Sequence, residues 1–285
     1  MKRIFCLFFA VISVYSVFAQ SSVWKVANGD KVLYLGGSSH LLRTEDFPLP
    51  TEFDMAFDAS QEMVFETDIN SVSNPEIVQL MMMKSLLPEG KTLKSLLSDK
   101  VYDELSKVCA ENNIPMENVQ NIKPAMLMSI LEMVQIKKMG FQPQGVDTYY
   151  FAKQMAKKGE WTHFESVEFQ MDLLTTIGDG FEDEYVKYSL ADMKNIEKEL
   201  SILIDEWRKG NTKFISKKLK KSSKQFPLVY NKMFTERNAN WMPQIEQFLQ
   251  DDKVEFVVVG LGHLVGKDGL LKLLKNKGYK VEQLR

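Results

Sequence analysis

Val254-Glu255-Phe256-Val257-Val258-Val259-Gly260-Leu261-Gly262-His263-Leu264 begins as an apolar, β-branched run and breaks at a glycine. Such a run reads as a buried strand, and the glycine as a sharp turn that delivers the histidine to the strand's end. Working outward, Trp241 to Leu249 has helical spacing before the strand. Lys267 to Asn276 has it after, and Lys280 to Leu284 is strand-like beyond Gly278, so the tail reads αβαβ. The same strand-to-histidine turn occurs near the start, as Leu35-Gly36-Gly37-Ser38-Ser39-His40. There, Trp24 to Val26 and Lys31 to Leu35 flank Asn28-Gly29-Asp30, which predicts a β-hairpin. Pro48 to Phe57 reads as a short helix and Glu62 to Phe65 as a second buried strand ending at Glu66, giving ββαβ.

Between these ends the chain reads as helical: Pro75 to Leu87, Ser98 to Asn112, Pro124 to Met139, Val146 to Lys158, Ser166 to Ile177 and Asp183 to Lys209. Each has apolar residues at three- and four-residue intervals and a stop or start residue such as Pro75, Gly140, Gly159 or Gly210. The class expected is therefore α+β. Its β-containing N- and C-terminal halves form a pseudo-symmetric sheet core, with a large helical insertion between them. No solenoid-length repeat or long low-complexity linker interrupts it. The methionines at 81–83, 126, 128, 133 and 139 have the spacing of core packing rather than of a soft binding surface.

The first residues set the expected compartment. Lys2 and Arg3 precede an apolar run from Ile4 to Val14, and Val17-Phe18-Ala19 precedes Gln20. That is a signal-peptide layout, shorter than the roughly 20 residues of a spanning helix, so 1–19 is expected to be removed and 20–285 to form one domain. Retention as an anchor is the lesser alternative. An exported protein, periplasmic or secreted, with no span after cleavage is the expectation. Of the two cysteines, Cys6 lies in the leader, so Cys109 is left without a disulfide partner and its helical setting reads as packing. The net charge of −2 argues against a nucleic-acid partner. The lysine run from 213 to 224 has Phe214, Ile215 and Leu219 at helical spacing, which reads as a solvated helix face.

The chain has three histidines. His40 and His263 each follow a strand and a Gly-x-x turn. With the strand-end Glu66 they form a plausible donor set for a divalent cation, leaving positions open for water and substrate. The plainer reading is a satisfied structural histidine, and no compact metal motif is present. His163, in Trp161-Thr162-His163-Phe164-Glu165, has no glycine turn and reads as a partly exposed strand residue. Gly260-x-Gly262-x-x-x-Gly266 is off the dinucleotide fingerprint and too near the C-terminus for a nucleotide fold. Asp179-Gly180-Phe181-Glu182-Asp183-Glu184 lacks the alternation of a calcium loop and reads as helix-start chemistry.

Several segments together resemble the TraB/GumN family: Tyr34 to His40, Phe65-Glu66, Asn121-Ile122-Lys123-Pro124, Gly145-Val146-Asp147, Phe164-Glu165-Ser166 with Gln170, Glu236-Arg237-Asn238, and Val258 to Gly269 ahead of Gly278-Tyr279-x-Val281. They stand in the family's order. The sequence departs from many relatives at Gly36-Gly37-Ser38-Ser39 and at Phe164, without removing a candidate ligand. The resemblance implies a fold that brings both Gly-x-x-His turns together and a relation to the Tiki metalloproteases, which cleave Wnt proteins. It also implies kinship with TraB-type pheromone-shutdown proteins and with GumN. It matches His40 and His263 to the family's two histidines, Glu66 to its strand-end glutamate, Glu165 to a second glutamate, and Arg237 with Asn238 to an Arg-Asn pair.

The activity expected from this is metal-dependent hydrolysis, most simply of a peptide or protein substrate. A divalent metal (Mn, Co or Zn) would be held by His40, Glu66 and His263. Glu165 would serve as general base or as a partner of a histidine. Arg237 would stabilise an oxyanion or substrate carboxylate, or else be a buried pair with Glu165 or Asp147. The alternatives are a non-catalytic exported binding or regulatory protein using the same cleft for a peptide or glycan, and a haem- or iron-binding protein.

Overall fold

The computed structural model describes residues 21–285. The expected leader lies outside the described residues. Six strands, β1 (Val23–Asn28), β2 (Lys31–Ser38), β3 (Glu62–Thr67), β4 (Glu160–Glu165), β5 (Glu255–Gly260) and β6 (Lys280–Gln283), form one mixed sheet in the order β4-β3-β5-β2-β1-β6. The fold is α+β with a long helical insertion, as the alternation of periods predicts. The hairpin forms as predicted, β1 pairing antiparallel with β2, with Gly29 supplying the positive φ of 64° that its turn requires.

The two strands of the C-terminal half, β5 and β6, do not lie side by side. β5 inserts between β2 and β3, parallel to both, pairing Ser38 with Gly260 and Phe65 with Val258. That interleaving explains its composition, because a strand with neighbours on both edges and layers on both faces is apolar throughout. All six of its positions are buried, Glu255 included. It also fixes the site: the ends of β2, β3 and β5 lie side by side, so the residues that follow them emerge together.

One strand comes from the middle of the chain rather than its ends. β4 pairs parallel with β3, Phe65 beside His163, and forms the sheet's edge. The expected helix over 183–209 is broken into Glu182–Met193 and Ile196–Arg208. Glu182, Asp183 and Glu184 occupy the first turn of the former, in keeping with helix-start chemistry. Trp241 to Leu249 proves to be the end of a longer helix, Glu236–Phe248, continuous with a π-helical turn at Asn231–Thr235.

The sheet and its covering helices enclose one core, in which Trp207, Trp241, Phe53 and Phe256 are buried. The insertion builds a second around Leu105, Leu127, Met128 and Leu131, where Cys109 is buried and burial raises its thiol pKa. Not all the methionines are core: Met82 and Met83, on the helix Pro75–Lys84, are 67% and 64% exposed. That helix buries none of its residues, so its periodicity had no core to face. No described helix is long and apolar enough to cross a membrane.

Candidate functional site

His40, Glu66 and His263 meet at the strand ends, on the floor of a half-open cavity of 470 Å³. The Glu66 carboxylate lies between the rings: Oε1 is 3.9 Å from His40 Nε2, and Oε2 is 3.9 Å from His263 Nε2. The Gly260 amide donates to Oε1 at 2.6 Å, tying the carboxylate to the end of β5. A Cβ on Gly260 would lie 3.1 Å from His40 Nε2, 3.2 Å from Glu66 Oε1 and 3.8 Å from His263 Cδ2. The missing side chain is therefore what keeps the space between the three donors open.

Each imidazole is oriented through its other nitrogen. Asp147, in the first turn of the helix Val146–Ala156, places Oδ2 3.0 Å from His40 Nδ1 and is itself bonded by the Ser38 hydroxyl. A carboxylate only accepts, so Nδ1 carries the proton and Nε2 faces Glu66. The start of that helix reaches His40 because residue 145 is glycine: a Cβ there would stand 2.5 Å from the His40 Cα. On the other side, the Asn238 amide donates to the carbonyls of His263 and Asp268, which turns its Oδ1 toward His263 Nδ1 at 2.7 Å. His263 therefore also carries its proton on Nδ1, and Nε2 is a lone pair.

Protonation follows from these surroundings. His263 is buried between the rings of Phe234 and Trp241, and burial, with Arg237 beside it, lowers its pKa to about 3, so it stays neutral. His40, with a side chain 56% exposed, differs. Desolvation pulls its pKa down, but the charge and hydrogen bond of Asp147, with Glu66 nearby, raise it to about 9. Burial of Glu66 opposes ionisation, and the charges of His40 and Arg237 with the Gly260 amide overcome it, holding the carboxyl below its usual value.

Arg237 lies under this arrangement with every N–H engaged. Nε donates to Glu165 Oε1 (2.8 Å). Nη2 donates to Glu165 Oε2 (2.8 Å) and to Glu66 Oε2 (2.5 Å). Nη1 donates to the Met233 carbonyl (3.2 Å) and to His263 Nε2 (3.0 Å). Glu165, at the end of β4, is equally filled: besides the guanidinium it accepts from Trp241 Nε1 at 2.9 Å and Gln170 Nε2 at 3.1 Å. Sequence reasoning missed Asp147 and Asn238 as the histidines' partners. Asp147 stood in a quoted segment, but an acidic residue opening a helix is explained locally without one. His163 lies on β4 beside Phe65 and takes no part.

Among the described residues, no three His, Cys, Asp or Glu side chains close on a common point as they would around a bound ion. Arg237 Nη1–H takes the single lone pair of His263 Nε2 and its Nη2–H takes Glu66 Oε2, so a cation would be held by these two only with the guanidinium moved aside. The donor chemistry nevertheless fits a divalent cation: two Nε2 atoms with Nδ1 fixed by acceptors, an ionised carboxylate between them, and the room left by Gly260. Gly260→Ala provides a test. Its φ of −50° suits alanine, so the fold should survive, while the affinity for Zn, Mn or Co measured calorimetrically should fall by about 10–100-fold, as when a ligand's support is lost. Wild-type affinity in this variant would mean that the ion is not held there.

No curated protein sequence and no solved structure matches this chain. The model of the TraB/PrgY/gumN family matches it over residues 22–283, nearly its whole length and including both Gly-x-x-His turns, β4 and the Arg-Asn pair. The chain belongs to the TraB/PrgY/gumN family.

Proposed function

We propose that this protein is an exported, metal-dependent hydrolase that acts on peptide bonds, with His40, Glu66 and His263 as the residues that hold a divalent Mn, Co or Zn ion. The observation that carries the reading is the shared space between the three donors, kept open by the absent Gly260 Cβ. When bound, such an ion polarises a carbonyl and lowers the pKa of its water.

The chain's own residues orient and neutralise. Asp147 and Asn238 hold a proton on Nδ1 of each imidazole, so His263 presents a lone pair at Nε2, and His40, charged without the ion, would release its Nε2 proton on binding one. Arg237 holds Glu66 ionised and in place. Of the roles open to Glu165, that of a positioning partner is the one its surroundings support. A general base needs a free lone pair toward the water, and each carboxylate oxygen of Glu165 already accepts two hydrogen bonds. Arg237 likewise has no N–H left for an oxyanion, so it too acts through its neighbours.

The contact of Arg237 with Glu66 and His263 Nε2 favours a second reading, a non-catalytic binding protein using the same cavity. Cleavage of a peptide library by the purified protein, reloaded separately with Zn, Mn and Co, separates the two. Hydrolysis that requires the cation and disappears in His40→Ala supports the peptidase. Retained ligand binding with no hydrolysis under any cation supports the binder.

A further inference from the structure

Above its polar floor the cavity is walled by aliphatic and aromatic side chains: Leu173 and Leu174 from the helix Val167–Thr176, Leu203 and Trp207 from Ile196–Arg208, and Ile215 and Leu219 from Lys213–Gln225. Apart from His40 on the floor, most side-chain donors that border it are already engaged. The five N–H groups of Arg237 are used within the floor. Trp207 Nε1 donates to the Gly37 carbonyl, Ser38 to Asp147, Ser39 to the Leu41 carbonyl and Gln170 to Glu165. A peptide or glycan lying along this wall would bring a donor and an acceptor with every unit, and each would be desolvated without a partner. A polymethylene chain brings none.

The volume is that of a ligand site rather than a packing defect. The apolar surface also continues outward: Leu174 at the wall is 39% exposed, and Phe169 is exposed on the same helix. The helix Pro75–Lys84, packed beside it and tied by the Lys84–Asp172 pair, exposes Val78, Met82 and Met83.

We propose that this cavity seats one long aliphatic acyl chain. Under the hydrolase reading, on which this part rests, the substrate is an acyl amide or ester whose carbonyl lies over His40, Glu66 and His263. Water then adds to the carbonyl carbon and the C–N or C–O bond breaks. A carboxylic acid and an amine or alcohol result, the leaving group taking a proton from the water. The peptide bond of the broader proposal becomes an amide next to a lipid chain.

Binding is tested on the metal-free protein, so that its outcome does not depend on turnover. Fluorescent cis-parinaric acid is titrated in and displaced by butanoate, octanoate, dodecanoate or the peptide tetraleucine. Each buried methylene should tighten binding by roughly fourfold, so dodecanoate should exceed butanoate by well over 100-fold, with tetraleucine ineffective. Leu219→Asp, which puts a carboxylate on the wall, should weaken dodecanoate at least tenfold. Leu174→Trp, at a half-exposed position that tolerates replacement, should shift the preference to shorter chains. Affinity indifferent to chain length, tetraleucine outcompeting dodecanoate, or wild-type binding in both variants would overturn the proposal. Chain-length-dependent binding without cleavage of N-dodecanoyl amides under any cation would uphold the acyl site and reject the hydrolase.

Discussion

Replacing Arg237 with methionine is expected to cost about 3–5 kcal/mol of stability, the scale on which removal of one partner strands a buried charge. The side chain is 5% exposed and its guanidinium is shared between Glu165 and Glu66, which are themselves 8% and 12% exposed. Methionine fills the volume but leaves Glu165 and Glu66 without the guanidinium they share. Urea denaturation followed by circular dichroism measures the loss. Arg237→Met/Glu165→Leu should recover part of it, because the second change removes one stranded charge; the two residues are in contact, so their effects should not add. A loss below about 1 kcal/mol in the single variant, within the range of a surface pair, would mean that the buried network does not hold the floor together.

Glu66→Gln is expected to act mainly on function. The amide oxygen can still accept from the Gly260 N–H and Arg237 keeps both hydrogen bonds to Glu165, but the amide NH2 then faces the Arg237 Nη2–H that Glu66 Oε2 accepted. Stability should therefore fall, by less than in Arg237→Met, which strands two carboxylates. Cation affinity should fall by more than about 100-fold, because losing a group that merely supports a ligand already costs 10–100-fold, and cation-dependent hydrolysis should go with it. If affinity stays while stability drops, Glu66 is a counter-ion for Arg237 and not a ligand.

Much of this was legible in the sequence, for physical reasons that differ by element. β5 announced itself because a strand buried on both faces must be apolar at nearly every position, and Gly260 marked its end. The hairpin was legible from its Asn-Gly turn. The pair of Gly-x-x-His turns located the site, but the reason for it, β5 lying between β2 and β3, is a tertiary fact with no local signal. β4 lies half-buried at the sheet's edge, so the strand setting of His163 was legible but its pairing with β3, far away in sequence, was not.

The sequence periodicity places the start of the helix that supplies Arg237 and Asn238 at Trp241, with Pro243 in a first turn where proline fits. It instead runs back to Glu236 with Pro243 in its interior, a position that costs a backbone hydrogen bond and must be offset by packing. Arg237, Asn238 and Trp241 on that helix hold Glu165, Glu66 and His263, and their hydrogen bonds anchor it there. The roles of Glu165 and Arg237 were equally out of reach from sequence. Whether a buried group is free to react depends on counting its partners, and those come from β3, β4, the π-helical turn and the turn after β5.

The central claim is that His40, Glu66 and His263 together hold a divalent ion, and metal content measures it most directly. The purified protein and its His40→Ala/His263→Ala variant would be stripped, reloaded separately with Zn, Mn and Co, dialysed, and analysed by mass spectrometry of the metals. One equivalent of at least one metal in the wild type, absent from a variant that still folds, is the predicted result. No bound metal in the wild type under any loading, or equal metal in both proteins, would contradict it.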